Sequence, residues 1–150
     1  MPKFRKIIEE DIEKIVRLEK ETFSDPWSAT SIRETCNQSQ AFVTVAEVEG
    51  KIAGYCIVYY VMDEAEIARI AVDECFRRQG VGCGLLSYTF SCCKDKRVER
   101  VLLDVRESNA SARAFYKKYG FEEDGVRKDF YQNPKEHAVL MSRSISNLFH

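Results

Sequence analysis

The segment RRQGVGCG at residues 77–84 constrains the fold of this sequence more than any other. It follows a predicted strand that ends at Val72 and opens a helical pattern from Gly82 to Lys94, where apolar residues recur every three or four positions. Glycines let a backbone approach a ligand closely, and free N–H groups at a helix start favour an anion. The spacing is neither that of an ATP-type P-loop nor that of a dinucleotide fingerprint. A phosphate-binding turn and a plain glycine-rich connection are both compatible with this segment alone.

The pattern on either side of this segment predicts one α+β domain over residues 1–150. Three β-rich runs with short connections precede it and predict an antiparallel meander, whereas strands and helices alternate after it. The fold class is therefore a central mixed, mostly antiparallel sheet flanked by helices. The predicted strands are Lys3–Ile8, Ala41–Val48, Lys51–Val61, Glu64–Val72, Glu99–Val105, Phe121–Tyr131 and Glu136–Ile145, and the other helices are Asp11–Phe23, Ser28 to about Cys36, and Asn109–Tyr119.

The composition indicates an ordinary globular protein, with 45% hydrophobic and 31% charged residues and a net charge of -1. Such a balance gives no reason to expect nucleic acid as a ligand, and no apolar stretch is long enough to cross a bilayer. The start of the sequence has no apolar signal core, so we expect a cytoplasmic protein, monomeric or weakly dimeric. Six cysteines without a Cys-x-x-Cys pair predict reduced thiols and no metal site.

Residues 77–82 fit the pattern Gln/Arg-x-x-Gly-x-Gly/Ala, and the flanking residues 70–73 and 85–86 also agree with it. By this motif and by the order of its elements, nearly the whole chain resembles the Gcn5-related (GNAT) acetyltransferases. The resemblance implies the GNAT acyl-CoA N-acyltransferase fold and acetyl coenzyme A as co-substrate, without a metal. It also implies a sheet that opens between the strand ending at Val72 and the strand ending at Val105. The coenzyme-binding residues that it implies are Ile70, Ala71, Val72, Arg77, Arg78, Gln79, Gly80, Val81, Gly82, Cys83, Asn109 and Tyr116.

Within that superfamily, the sequence looks most like the bacterial enzymes that acetylate the N-terminal alanine of a ribosomal protein. This implies a small-subunit ribosomal protein as the partner. Acetylation of another amine (a different protein N-terminus, a lysine, a polyamine or an aminoglycoside) and non-catalytic coenzyme A sensing remain alternatives. The matching segments are DPWS at 25–28, EAEI at 64–67, LDVRESN at 103–109, FY at 115–116, YGF at 119–121 and GVRK at 125–128.

The candidate catalytic residues are Tyr116, Asp104 and Glu66. The resemblance makes Tyr116 the acid that protonates the departing thiolate, although its spacing also suits a core residue. Asp104 interrupts an apolar strand, where burial raises a carboxylate's pKa and makes it a better base. The resemblance implies glutamate as the usual residue there, and because Asp104 is one methylene shorter, a bridging water could restore its reach to the amine. Glu66 is the rival base, and we favour Asp104.

Two aromatic residues are candidates for binding the acceptor. Tyr131 lies where N-terminal acetyltransferases often use tyrosine to hold the start of the peptide, and Trp27 could form a wall of the groove or simply pack the short helices. Regular strand alternation predicts that one face of the strand before the glycine segment carries Glu64, Glu66, Ala68, Ile70 and Val72, and that the other carries Ala65, Ile67, Arg69 and Ala71.

Overall fold

A computed structural model of the protein describes residues 1–145 and contains a seven-stranded sheet in the order β1-β2-β3-β4-β5-β7-β6. Each predicted strand and helix is present, with bounds that differ from the prediction by two residues at most. The strands are β1 (Lys3–Lys6), β2 (Ala41–Val48), β3 (Lys51–Val61), β4 (Glu64–Val72), β5 (Arg100–Arg106), β6 (Glu122–Tyr131) and β7 (Glu136–Ser144). The helices are α1 (Ile12–Thr22), α2 (Ala29–Cys36), α3 (Val81–Asp95) and α4 (Ala110–Lys118), with 3₁₀ turns at Glu9–Asp11 and Glu74–Phe76.

The sheet is mixed and mostly antiparallel, as the sequence predicted. Only β4 and β5 run parallel, and α3 is the crossover helix that this connection needs. The remaining neighbours pair antiparallel. The glycine-rich turn before α3 therefore lies at the carboxyl end of β4.

Helices cover both faces of the sheet. On one face α3 and α4 pack with a core that includes Leu85, Phe90 and Val101. On the other face α1 and α2 pack with a smaller core around Ile15 and Ile32. The continuously apolar β3 is buried from both sides, which confirms the burial that its sequence predicts.

The prediction of regular alternation along β4 was wrong, because β4 contains a bulge at Ala68. Ile57 pairs with Arg69 and Val58 pairs with Ile67, which leaves Ala68 without a partner on β3. Ile67 and Ile70 therefore both face α3, although they are three positions apart. Arg69 turns to the opposite face, where it bonds to α1.

The sheet opens between β4 and β5, as the resemblance implied. The two strands pair only from Glu64 with Arg100 to Ile67 with Leu103. Beyond that point β5 continues to pair with β7, and β4 continues to pair with β3. Within the described residues, the edge of β4 that faces β5 is thus left unpaired from Ala68 to Val72, and its main-chain groups are available to a ligand.

Candidate active site

The turn before α3 has a backbone suited to an anion. Gly80, the N-cap of α3, has φ +77°, and Arg78 two positions earlier has φ +65°. The Gly84 amide bonds the Gly80 carbonyl at 3.0 Å, so the helix is already formed at its first turn. The preceding amides, those of Val81, Gly82 and Cys83, come too early in the helix for an intrahelical partner. They are available to a diphosphate, which the helix dipole also favours.

Three further residues predicted to touch the coenzyme have identifiable local contacts. Asn109 caps α4, its Oδ1 accepting the Ala112 amide at 3.1 Å. Arg77 Nε lies 3.4 Å from the Val72 carbonyl, which ties the turn to the end of β4. Cys83 hydrogen-bonds Tyr119, and this bond raises the pKa of the Tyr119 hydroxyl. Arg77 and Cys83 are thus placed where β4 ends and α3 begins.

Tyr116 lies on α4 with its ring buried against Phe115 and Phe121, at centroid distances of 5.4 Å and 5.5 Å. Burial raises the pKa of its hydroxyl, and the Cys56 thiol and Tyr131 raise it further. Cys56 pairs with Ile70, in the stretch of β4 that is separated from β5, so the hydroxyl lies level with this opening. Within residues 1–145 the hydroxyl has no hydrogen-bond partner, and its oxygen keeps some contact with solvent. It therefore stays protonated at neutral pH and free to donate.

Asp104 and Glu66 come together on the face of the sheet opposite the α3 core, where β4 and β5 separate. Burial raises the pKa of both carboxyls, and the charge of Asp104 raises that of Glu66 further. A raised pKa makes either carboxylate a stronger base. The structure thus places both candidates in one site.

Arg127 also belongs to this site, although no role was predicted for it. It lies on β6 opposite Ala138, and its charge lowers the pKa of both Asp104 and Glu66. Its charge therefore opposes the effect of burial on both carboxyls. Its only signal in the sequence was its place in the GVRK segment, which matched the related enzymes without indicating what it faces.

Tyr131 lies at the end of β6, with the Arg106 guanidinium 4.5 Å from the centre of its ring. Burial, followed by the charge of Asp104, raises the pKa of its hydroxyl to about 12. Arg106 also donates to the Gln132 and Pro134 carbonyls at 3.1 Å and 2.8 Å. It thereby fixes the hairpin between β6 and β7, with Tyr131 next to Asp104.

Trp27 lies in the loop between α1 and α2, with its ring 6.4 Å from that of Tyr59. Tyr59 pairs directly with Glu66 across β3 and β4. A surface groove of about 410 Å³ opens beside these rings, and Trp27 and Tyr59 are part of its lining. Its wall is completed by residues of α2 and of the segments on either side of it, namely Ser31, Glu34 and Thr35 on α2 and Pro26, Ser28 and Gln38 outside it.

Comparison with known proteins agrees with this architecture. The family model described as acetyltransferase (GNAT) family matches residues 12–121, more than half of the chain. The chain belongs to the GNAT acetyltransferase family. A GNAT protein has acetyl coenzyme A as its acetyl donor, and the unpaired edge of β4 together with the free amides of α3 suits the long, diphosphate-bearing arm of this molecule.

Several relatives match this GNAT chain over most of their own length. A Bacillus subtilis protein with the provisional name [ribosomal protein bS18]-alanine N-acetyltransferase is 37% identical over 133 residues, which is 88% of each chain. The crystal structure of the Escherichia coli ribosomal-protein-S18-alanine N-acetyltransferase aligns with this chain over the full length of both, with a TM-score of 0.87 and 29% sequence identity. A Bacillus anthracis protein, provisionally a streptothricin acetyltransferase, was solved with acetyl coenzyme A; it matches with a TM-score of 0.68 at 25% identity over 75% of this chain and 66% of its own.

Two further features of this GNAT chain concern membranes and metals. In the part of the chain that the structure describes, no helix combines the length and apolarity required to span a bilayer. Residues 1–145 also hold no cluster of three or more His, Cys, Asp or Glu side chains arranged around a metal. All six cysteines are free thiols, and Cys56, Cys92 and Cys93 are buried.

Proposed function

We propose that this protein transfers the acetyl group of acetyl coenzyme A to the N-terminal amine of a ribosomal protein that begins with alanine. The observation that carries the proposal is the opening between β4 and β5, with a turn suited to a diphosphate at its end and with a phenol and two carboxyl groups nearby. The identity of the acceptor is supported by the names of the relatives that match this chain over most of its length.

The chain's own groups would hold the donor along β4. Amides at the start of α3 bind its diphosphate, and main-chain groups of Ile70–Val72 bond the pantetheine arm as a further strand would. Acetyl coenzyme A supplies an activated acetyl group as a thioester, which the opening leaves accessible from the face with the carboxylates. Alignment of this kind can contribute several kcal/mol of a reaction barrier.

Proton transfer completes the reaction. Asp104, directly or through a water, accepts a proton from the N-terminal ammonium, and the neutral amine forms a bond to the acetyl carbon. The carbon–sulfur bond then breaks, and Tyr116 donates its proton to the departing thiolate. The nitrogen of the new amide loses its extra proton, which returns through solvent to the Tyr116 phenolate, and Asp104 releases the first proton to solvent. A positioned base typically contributes about 10²–10⁴-fold to the rate. Tyr131 and Trp27 would hold the start of the acceptor peptide beside Asp104.

Thiol release from acetyl coenzyme A tests this proposal. The acceptors are a peptide with the N-terminal sequence of a small-subunit ribosomal protein, the same peptide already acetylated, and peptides in which serine or methionine replaces the first alanine. A polyamine and a peptide whose only free amine is a lysine represent the other classes of acceptor. We expect release with the free alanine peptide and none with its acetylated form.

Other outcomes would change the assignment. Faster turnover with the polyamine or the lysine would replace the proposed acceptor. Tight coenzyme binding without turnover on any amine would show a sensor instead of an enzyme. Mass spectrometry of ribosomal proteins from cells with and without the gene then identifies the acceptor in the cell.

A further inference from the structure

We propose that Glu19 and Arg69 are a positioning pair that holds the α1–α2 loop, residues 23–28, so that Trp27 lies at the acceptor side of the site. The inference rests on the proposed function, because the position of Trp27 affects catalysis only if an acceptor binds beside it. Neither residue of the pair has a part in the chemistry described above.

Glu19 is a carboxylate with no exposed surface, on the buried side of α1. Its Oε1 accepts the Trp27 amide at 2.8 Å and Arg69 Nε at 3.2 Å, and its Oε2 accepts the Tyr55 hydroxyl. Removing a carboxylate from water costs several kcal/mol, and an ion pair often recovers no more than that cost. Apolar packing would serve the core equally well, so the pair needs a reason other than stability.

Arg69 reaches the same loop from β4. The bulge at Ala68 turns its side chain toward α1, where its Nη2 donates to the Asp25 carbonyl at 2.6 Å and to the Asp25 carboxylate at 3.2 Å. Its guanidinium lies 3.8 Å from the centre of the Phe23 ring. Only 12% of the Arg69 side chain is exposed and Glu19 is fully buried, so the contact between these two is largely shielded from water and salt, whereas the Asp25 side chain is 66% exposed.

The pair thus contacts the loop at alternate residues, namely Phe23, Asp25 and Trp27. This loop has no regular secondary structure, so it lacks the ladder of bonds that fixes a helix or strand. Its main chain instead donates to Glu19 and accepts from Arg69. Loss of either partner would release the loop without breaking a strand.

The loop lies next to the acceptor groups. The Trp27 ring packs on Tyr59, which pairs with Glu66, and the charges of Arg69 and Asp25 act on the Tyr131 hydroxyl. The loop and the β6–β7 hairpin therefore approach each other above the carboxylates. The diphosphate-binding turn lies beyond the far end of β4, so displacement of Trp27 should affect the acceptor and not the coenzyme.

Glu19→Gln tests the pair, and Asp11→Asn is the matched control. Asp11 is also a buried carboxylate, with 4% of its side chain exposed and 2.8 Å from Arg5, but its partner lies on β1 at the opposite edge of the sheet. Each change neutralises a buried carboxylate opposite an arginine. Trp27 is the only tryptophan of the chain, so fluorescence quenching by acrylamide reports on this loop directly.

We expect Glu19→Gln to increase the quenching of Trp27 and to raise the KM for the acceptor about ten-fold, which corresponds to about 1.4 kcal/mol of lost acceptor binding. The KM for acetyl coenzyme A and kcat should stay within about two-fold, the pattern of lost acceptor binding. Asp11→Asn should lower Tm alone.

Equal quenching and equal acceptor KM in the two variants would overturn the proposal. Should Glu19→Gln not fold, Arg69→Lys keeps the charge but loses the planar fork that spans Glu19 and Asp25, and the same comparison decides. Quenching requires no turnover. If the wild-type protein is inactive but Glu19→Gln still increases the quenching of Trp27, the proposed function is contradicted. The role of Glu19 in holding the loop is then still established.

Discussion

Replacing Gly80 by alanine would test whether the turn before α3 is held in a coenzyme-binding conformation. At its φ of +77° an L-residue is strained by about 1–2 kcal/mol. A Cβ added at Gly80 would have no neighbour within 4 Å, so the cost is conformational and not steric. Gly50, in the hairpin between β2 and β3, has φ +78° and is equally uncrowded. Gly50→Ala is therefore a control with the same local cost far from the site.

The same strain should appear in different measurements for the two variants. In Gly50→Ala the flanking strands hold the turn in place, and for a chain of this length 1–2 kcal/mol lowers Tm by about 2–8 °C. The turn at Gly80 is exposed and lacks flanking strands on both sides, so in the free protein it can relax to a negative φ. Bound coenzyme must then restore the original conformation, and 1–2 kcal/mol corresponds to a Kd raised by about 5–30-fold.

Isothermal titration with acetyl coenzyme A and thermal unfolding measure both quantities on the same preparations. We expect Gly80→Ala to lose affinity with a small change in Tm, and Gly50→Ala to lose Tm with unchanged affinity. A Gly80→Ala protein that binds the coenzyme as tightly as wild type would refute the reasoning. The diphosphate would then not depend on the left-handed conformation of this turn.

Four further substitutions probe the site and the packing of α3 next to it. Tyr116→Phe removes the proposed proton donor and should lower kcat by about 10²-fold with little change in coenzyme affinity; an unaltered kcat in stopped-flow thiol release would exclude the role. The base acts only when ionised and its pKa is raised, so activity should rise with pH above the ordinary carboxyl range. Asp104→Asn should flatten this rise more than Glu66→Gln, and the opposite order in a rate–pH profile would make Glu66 the base. Gly84→Ala places a Cβ 2.2 Å from Cζ of Phe4, so the free energy of unfolding should fall by about 1–3 kcal/mol. The Kd for acetyl coenzyme A should stay unchanged.

The order and limits of the helices and strands were predictable because they depend on local patterns. The continuous apolar run of β3 and the helical spacing of α3 each identify an element without reference to its neighbours. The ends are equally local, since Ser28 caps α2 through the Ser31 amide and Asn109 caps α4. For the same reason the capping function of Asn109 was predictable, while its part in coenzyme binding remains a prediction.

The composition of the site was less predictable, because it depends on contacts between residues far apart in the sequence. The resemblance indicated Asp104, Tyr116 and the glycine-rich turn, yet nothing local shows that Arg127 faces the carboxylates from β6. The same holds for Glu19 and Arg69, which are 50 positions apart. In the sequence, Glu19 is one more charge on an amphipathic helix, and only the fold reveals that it is fully buried.

The bulge at Ala68 links the coenzyme side of the site to the acceptor side. With regular pairing, Arg69 would share a face with Ile67 and would point into the α3 core, where its charge has no partner. The extra residue places Ile67 and Ile70 in that core and turns Arg69 toward Glu19. Bulges also bend and twist a strand, and β4 parts from β5 immediately after Ile67. One inserted residue thus accounts both for the unpaired edge of β4 that suits the coenzyme arm and for the arginine that holds the loop carrying Trp27, so deleting Ala68 should impair both sides together.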